Sequence, residues 1–380
     1  MEGPRKVSEQ LGPVNLLYSD VETDLRDAVR RMLADRSPWP AVLERMETDK
    51  PYDDAVWRGL VELGATGLAV PEEFGGAGAT FREVAVVMEE LGRSVAPTPY
   101  LGSAVLATAA VLALPQSTGG VLEALAEGTV MALAVPLGVA PGADPPLTVS
   151  AERGSLTGTL RNVADAGSAQ TLLVPVVEAD GAALYRVDAA AGELTSAPTM
   201  DLTRRLATLS LDAAAGERLV GGDEAMAAVR GALTVGAAML ASEQLGLAER
   251  CLEMTVEHLK SRHQFGRPIG SFQALKHRVA QVWVSVAQAR AVARNAADRL
   301  AALGPAADEA VIAAAVAQAH CSGVAVRAAE ECVQLHGGIG FTWEHPAHLY
   351  LKRARSDALA FGTADRHRSL LAQLVDLPIG

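Results

Sequence analysis

Residues 262–280 read RHQFGRPIGSFQALKHRVA, and the reading of this stretch decides the fold. Pro268 and its neighbouring glycines enforce a turn between two long helical patterns, one running from about Glu224 to Arg262 and the next beginning at Phe272. Arg262 and Phe265 stand three apart, so at a helix end they face the same way and offer a guanidinium and a ring to one ligand. A guanidinium pairs with phosphate oxygens in a bidentate manner, and a ring stacks on or edges against a nucleobase. A cation at a helix C-terminus, helping the dipole, accounts for Arg262 but not for the whole string.

Working outward, a third helical run covers residues 306–335 and ends in CVQLHGGIG, residues 332–340. Gly337, Gly338 and Gly340 allow backbone N–H groups to approach an anion, yet the spacing is neither a Walker loop nor a dinucleotide fingerprint. On the N-terminal side, Asp20 to about Gly128 shows helical periodicity, interrupted by VPEEFGGAGAT, where Phe74-Gly75-Gly76 reads as a turn entering the next helix. Between these regions, Thr129 to Gly222 breaks into short β-like runs separated by Gly, Pro, Asn and Asp, the texture of a small barrel or sandwich. The expected fold is therefore α+β and mainly α. It comprises an N-terminal helical domain (1–128), a central small β-barrel or sandwich domain (129–222) and a C-terminal helical bundle domain (223–380).

The 380 residues are 49% hydrophobic but only 4% aromatic, so the core must be built from Ala, Leu and Val, which favours packed helices. A formal charge of −12 argues against nucleic acid or an anionic membrane as partner, since both require a cationic face. Cys251, Cys321 and Cys332 lie in apolar helical context and suggest no disulfide framework. The first 22 residues lack a signal-peptide core, and no run of about 18 uninterrupted apolar residues appears. These features together predict a cytoplasmic protein acting on small molecules.

Hydrolytic chemistry finds little support, because there is no G-x-S-x-G elbow and no cysteine in a polar setting. His336, His345 and His348 cluster in sequence, but without matching carboxylate or thiolate spacing they read as surface or interface residues, and no metal is assigned.

RHQFGRPIGSFQALKHRVA together with CVQLHGGIGFTWEHPAHLYLKRA (332–354) closely resembles the C-terminal signature of the flavin-dependent acyl-CoA dehydrogenases, and AVPEEFGGAGATFREVAVVMEELGR (69–93) resembles their N-terminal domain. The resemblance covers nearly the whole chain. It implies a C-terminal four-helix bundle and assembly into dimers or dimers of dimers, with FAD extended at a subunit interface. In such enzymes the R-x-x-F-G and Q-x-x-G-G motifs reach the adenosine and pyrophosphate end of a neighbour's FAD; the matching residues here are Arg262, Phe265, Gln334, Gly337 and Gly338. The implied activity is α,β-desaturation of an acyl-CoA thioester, with a carboxylate taking the α-proton, a β-hydride going to the flavin and electrons leaving to an electron-transferring flavoprotein.

The same resemblance locates the departures. Where many members carry the base in Y-E-G-T, this chain reads Ala360-Phe361-Gly362-Thr363; Thr363 remains as a flavin contact, but Phe361 cannot take a proton. Counting back from the shared L-G-L, the alternative position for a Glu holds Gly236. Glu243, seven residues on, is a weak substitute lying roughly 10 Å farther along the helix. The usual T-E-P-x-A-G-S-D reads AVPLGVAPGAD (134–144), W/F-x-T-N has Asn162 and Ala164 at its aromatic and Thr positions, and an Arg-Asp pair reads Lys352-Arg353. Losses fall on the site a subunit builds for its own flavin, whereas the residues donated to a neighbour survive. The expectation is a subunit of a heteromeric acyl-CoA dehydrogenase whose partner carries the base, of the kind known in bacterial steroid side-chain degradation, with a homo-oligomer as the other assembly. The Ala-rich composition resembles that of high-GC actinobacterial proteins. Two other readings stay open: an acyl-CoA-binding flavoprotein with other chemistry, and a catalytically silent scaffold.

Overall fold

A computed structural model describes residues 15–50, 52–114 and 120–375; residues 1–14 of the N-terminal segment discussed above lie outside it. Among the described residues six α-helices come first: α1 Asp20–Arg36, α2 Trp39–Met46, α3 Asp54–Glu62, α4 Phe81–Ser94, α5 Thr108–Leu112 and α6 Val121–Ala126. Two begin with reciprocal capping boxes, Ser19 with Glu22 before α1 and Thr80 with Glu83 before α4. A π-helical segment, Leu101–Ala107, leads into α5 and is wholly buried.

Seven strands follow: β1 Met131–Leu133, β2 Val149–Glu152, β3 Ser155–Ala164, β4 Thr171–Glu178, β5 Gly181–Asp188, β6 Glu193–Ser196 and β7 Leu206–Gly221. β2, β3, β7, β5 and β4 pair in a ring that closes through β4 and β2, with β1 added to β4 and β6 to β7. Of the two expected forms, barrel or sandwich, this is a barrel, and closure removes most free sheet edges. Its core is apolar, built on Leu156, Leu160, Leu172, Val174, Tyr185, Leu209 and Leu211. The sequence pattern led to a strand of only LATLSLD at its end. β7 continues instead for 16 residues, turning at Ala213 (φ 51°) to pair first with β3 and then with β5. The Ala-rich continuation carries no alternation to reveal it.

α7 (Gly222–Ser261) starts where β7 stops and runs 40 residues, about 60 Å at helical rise. The short hairpin β8 His263–Gln264 and β9 Arg267–Pro268 turns the chain into α8 (Gln273–Leu303), α9 (Asp308–His336), α10 (Ala347–Asp357) and α11 (Ala364–Leu374). α7 packs on α8, α9 and α10 and also on α4 of the N-terminal helices. α7 and α9 are apolar enough to span a membrane by composition, but the apolar windows are 83% and 61% buried inside the protein, α7 forming its central axle.

Where α4 crosses α7 the backbones touch. A Cβ on Gly92 would lie 2.0 Å from the Glu243 carbonyl oxygen, and one on Gly246 would lie 1.8 Å from that of Glu89. Neither helix can withdraw without opening the core around Val84, Val87, Met88 and Leu91. Gly246→Ala is therefore expected to cost about 3 kcal/mol, the upper end of overpacking penalties, in urea denaturation. Gly323→Ala, on exposed α9 surface where an added Cβ meets nothing within 4 Å, should instead be stabilising by roughly 0.5–1 kcal/mol.

Candidate active site

At the far end of α7, Arg262 caps the helix in an extended conformation, and its carbonyl receives the Ile269 N–H at 2.8 Å, closing the base of the β8–β9 hairpin. Phe265 and Gly266 form the two-residue turn, both with positive φ (53° and 74°). Such turns favour Asn, Asp and Gly, and a phenylalanine there is held against its backbone preference. Its ring is 90% exposed, touching Phe272 edge-on at 6.0 Å, while the Arg267 guanidinium stands 4.1 Å over Phe272. The hairpin thus displays an aromatic ring to solvent at a conformational cost.

The second motif reaches the same end of the bundle through histidines. The His258 ring on α7 lies 4.4 Å from that of His336 on α9, which in turn lies 4.1 Å from His345. Gln334 is exposed, and so are Gly337 and Gly338, which begin a 3-10 turn (Gly337–Phe341) with nothing within 4 Å of an added Cβ on either. Burial lowers the pKa of His258, and it brings that of His345 down to about 4. These rings, with Trp39, Arg30, Arg93 and Arg250, border a cleft of 760 Å³. His348 lies apart, edge-on to Trp343. Among the described residues no group of three or more His, Cys, Asp or Glu is placed to hold a metal ion.

Phe361 has the opposite character. It is 1% exposed at φ 53°, its N–H donates to the Leu137 carbonyl at 2.7 Å and its carbonyl accepts from His367 Nε2 at 2.9 Å. The ring presses on α7 so closely that a Cβ on Gly236 would lie 2.7 Å from its Cζ and from Leu106 Cδ2. A Cβ on Gly362 would lie 2.7 Å from that of Ala140. The loop at 134–144 is therefore seated directly on the C-terminal turn, and Leu137 N–H is itself tied to the Asn162 carbonyl at 2.9 Å. Asn162 is exposed, Ala164 is buried, and Thr363 caps α11 through the Arg366 N–H. Phe74-Gly75-Gly76 forms part of a hydrogen-bonded 3-10 turn, with Gly76 N–H donating to the Pro71 carbonyl.

Glu243 is withdrawn as a candidate base. One carboxylate oxygen accepts from Arg204 and the other from Arg353, each at 2.5 Å, and the side chain is 1% exposed. Both oxygens are committed to charge-assisted bonds inside a network, so neither faces open space from which to take a substrate proton. Arg204 also reaches Asp357 at 2.5 Å, and Arg353 reaches Asp201 at 2.6 Å and the Thr203 hydroxyl. Gln244 and Gln318 donate to the Asp357 carbonyl, and Gln318 also to that of Ala360, fixing the turn that carries Phe361. Sequence reasoning missed Arg204, Asp201 and Asp357 because a lone charged residue reads as solvated surface. It registered Arg353 only as a change of charge.

Against the flank of this network, Asp165 (φ 59°) accepts the Gly102 N–H at 2.8 Å, and burial pushes its carboxyl up to about 6. That lies above the ordinary carboxylate value near 4, so the folded chain keeps a proton that the unfolded chain releases. The stability so gained is full below about pH 4 and is lost as pH rises through about 6. Asp165→Asn, which tolerates positive φ and does not titrate, should gain stability relative to the parent across that interval. Paired urea unfolding curves at pH 4.5 and 7 check this: the difference between variant and parent should be larger at pH 7.

Comparison with known proteins places this geometry in a family. Residues 225–375 match the model described as acyl-CoA dehydrogenase, C-terminal domain, and residues 19–118 match the corresponding N-terminal domain. The chain is 40% identical over 337 residues to acyl-CoA dehydrogenase IpdE2 of Mycobacterium tuberculosis, covering 88% of this chain and 91% of that protein. Among solved structures it is similar to the ChsE4-ChsE5 complex from Mycobacterium tuberculosis (28% identity, TM-score 0.84, 96% of this chain and 100% of that one). It is also similar to a Tcur3481-Tcur3483 steroid ACAD variant (29% identity, TM-score 0.82, 94% and 98%).

Proposed function

The chain belongs to the acyl-CoA dehydrogenase family, and from that premise we propose that it is the clamp subunit of a heteromeric, FAD-dependent acyl-CoA dehydrogenase whose partner subunit supplies the catalytic base. The observation that carries this reading is the buried Phe361 ring packed on Gly236, with its backbone bonded to Leu137. By motif resemblance these match the place where many members of the family carry the catalytic carboxylate and the place where another branch carries it, and here the space between them is filled by hydrocarbon. The residues that would form this chain's own flavin and thioester site do not fit those groups.

The opposite end of the bundle does fit. Arg262 is exposed, Phe265 is held out on its strained turn, and Gln334, Gly337 and Gly338 lie open. We assign Arg262 to the pyrophosphate, where a guanidinium binds two oxygens at once, and Phe265 to the adenosine of an FAD seated mainly in the partner. Gln334 and the backbone N–H groups of Gly337 and Gly338 approach the same phosphates. When bound, the FAD supplies the two-electron sink for desaturation; this chain's residues bind its adenosine end and orient it.

The assembly with a second, related subunit is favoured by the two similar structures whose descriptions pair unlike chains. The substrate class we favour is a steroid-derived acyl-CoA, because one of those structures is described as a steroid enzyme. Electrons leaving to an electron-transferring flavoprotein completes the proposed cycle.

Purified alone, the chain should be colourless and inactive toward acyl-CoA; co-purified with the partner it should yield a yellow complex. A yellow, active homomer overturns the proposal. In the complex, Arg262→Ala should weaken FAD retention by ~1–3 kcal/mol, read from the flavin absorbance left after gel filtration. Phe265→Asn relieves the turn and should leave the chain equally or more stable, while the complex still loses FAD faster.

A further inference from the structure

A phenyl ring as bare as that of Phe265 swings freely about its side-chain torsions unless another group touches it. On this hairpin one group does: the Phe272 ring, with centroids 6.0 Å apart and planes at 83°. That is the edge-to-face arrangement, in which the positive rim of one ring meets the negative face of the other. Phe272 itself stands on a rigid footing at the start of α8. Its N–H donates to the Ile269 carbonyl at 3.1 Å, and its carbonyl accepts the Leu275 and Lys276 N–H groups at 3.2 and 3.1 Å.

A second group holds Phe272. The Arg267 guanidinium lies 4.1 Å from the centre of its ring, where the ring quadrupole attracts a cation. Among the described residues no carboxylate pairs with Arg267 to draw it elsewhere. Arg267 belongs to β9, opposite Gln264 on β8. The hairpin thus touches Phe272 twice, by the ring on its turn and by the cation on its second strand. Phe341 provides the contrast: it is also exposed, on the turn that begins at Gly337, yet among the described residues it has no ring or cation against it.

Resting on the clamp reading above, we propose that Phe272 is a positioning residue for the cofactor: braced by Arg267, it holds the Phe265 ring in the orientation presented to the adenine of the partner-bound FAD. Neither Phe272 nor Arg267 needs to touch the FAD. A ring ordered before binding loses little freedom when a base stacks on it, so the cost of ordering falls on folding and not on association. The same preorganisation accounts for a phenylalanine kept at positive φ with almost no burial in return.

The test has two arms. In the first, the whole chain alone carries carbon-13 at Cζ of its six phenylalanines, and NMR relaxation reads the order of each Cζ–H bond, which lies on the ring-flip axis and reports only side-chain swing. Phe265→Leu identifies the Phe265 signal. That signal should be markedly more ordered than that of Phe341, and Phe272→Leu should release it, with Arg267→Gln acting in the same direction and the buried Phe361 signal unmoved. In the second, the complex with the partner subunit is stripped of flavin and titrated with FAD. Phe272→Leu should raise the dissociation constant about two- to tenfold, the worth of one side chain ordered in advance. Phe272→Tyr, which keeps the ring, and Arg267→Lys, which keeps the cation, should stay close to the parent in both arms. A Phe265 ring as mobile as Phe341 in the parent, or no looser in Phe272→Leu, overturns the inference. So does unchanged FAD binding by Phe272→Leu when Phe265→Leu binds more weakly. If Phe265→Leu itself binds FAD like the parent, the assignment of Phe265 to the adenosine fails and the inference falls with it, even where the relaxation shows the ring braced.

Discussion

Two glycines set the architecture. Gly92 and Gly246 let α4 and α7 meet backbone to backbone, and everything that joins the N-terminal helices to the C-terminal bundle is built around that contact. Glu89 and Glu90, on the same stretch of α4, are thereby buried and must find cations: Arg294 stands over the Tyr18 ring and reaches Glu89, and Arg30 and Arg93 pair with Glu90. Arg93 extends the link to Glu249 and Glu253 on α7, while its carbonyl accepts the Tyr350 hydroxyl from α10 at 2.6 Å. Exposed pairs of this kind contribute little, but with one member fully buried the loss of its partner leaves an uncompensated charge. The crossing therefore dictates a set of obligatory ion pairs at its margins.

The same crossing holds Glu243 in place, since its own carbonyl is the atom that faces Gly92. From there the side chain reaches Arg204 at the start of β7's approach and Arg353 on α10, so a single residue, by its carboxylate and its backbone carbonyl, ties barrel, bundle and N-terminal helices together. Four buried acids (Asp165, Asp201, Glu243 and Asp357) surround two guanidiniums, and the excess negative charge is met by raising the proton affinity of Asp165 and Asp357 through burial. The network reaches α10 and the turn after it through the Arg204–Asp357 pair. It anchors the segment from Asp357 to Phe361 and with it the aromatic ring.

The helical, β, helical order was legible because each texture repeats over many residues, and a turn around Pro268 was legible too, but the hairpin that puts Phe265 at positive φ was not. What stayed hidden was non-local. Nothing near Gly236 in the sequence announces that Phe361, over a hundred residues later, needs its missing Cβ. Nothing in Thr203-Arg204-Arg205 distinguishes the buried guanidinium from its half-exposed neighbour. The long β7 was obscured because alanines after Asp212 serve a strand as poorly as they advertise one. Glu243 was read as a polar residue of the bundle with some claim to chemistry, and only its two partners, contributed by distant elements, remove that claim.

The contrast between Phe265 and Phe361 carries the functional argument furthest. Both stand at positive φ before a glycine, both sit at motif positions, and the backbone strain is of the same kind. One ring is buried to the last per cent and the other is almost wholly bare. A chain with six phenylalanines and four tryptophans can ill spare aromatic surface, yet Phe265, Phe341, Trp283 and Trp343 are all more than three-fifths exposed, and all lie in the C-terminal region. Apolar area displayed on this scale is stabilised only when another surface covers it. A different side chain at Phe361 would leave the turn in place, because the hydrogen bond from its N–H to Leu137 and the contact of Gly362 with Ala140 would still hold the loop down. Backbone closure and side-chain packing thus hold the Phe361 turn shut together, whereas the same strained geometry at Phe265 leaves its ring open to solvent.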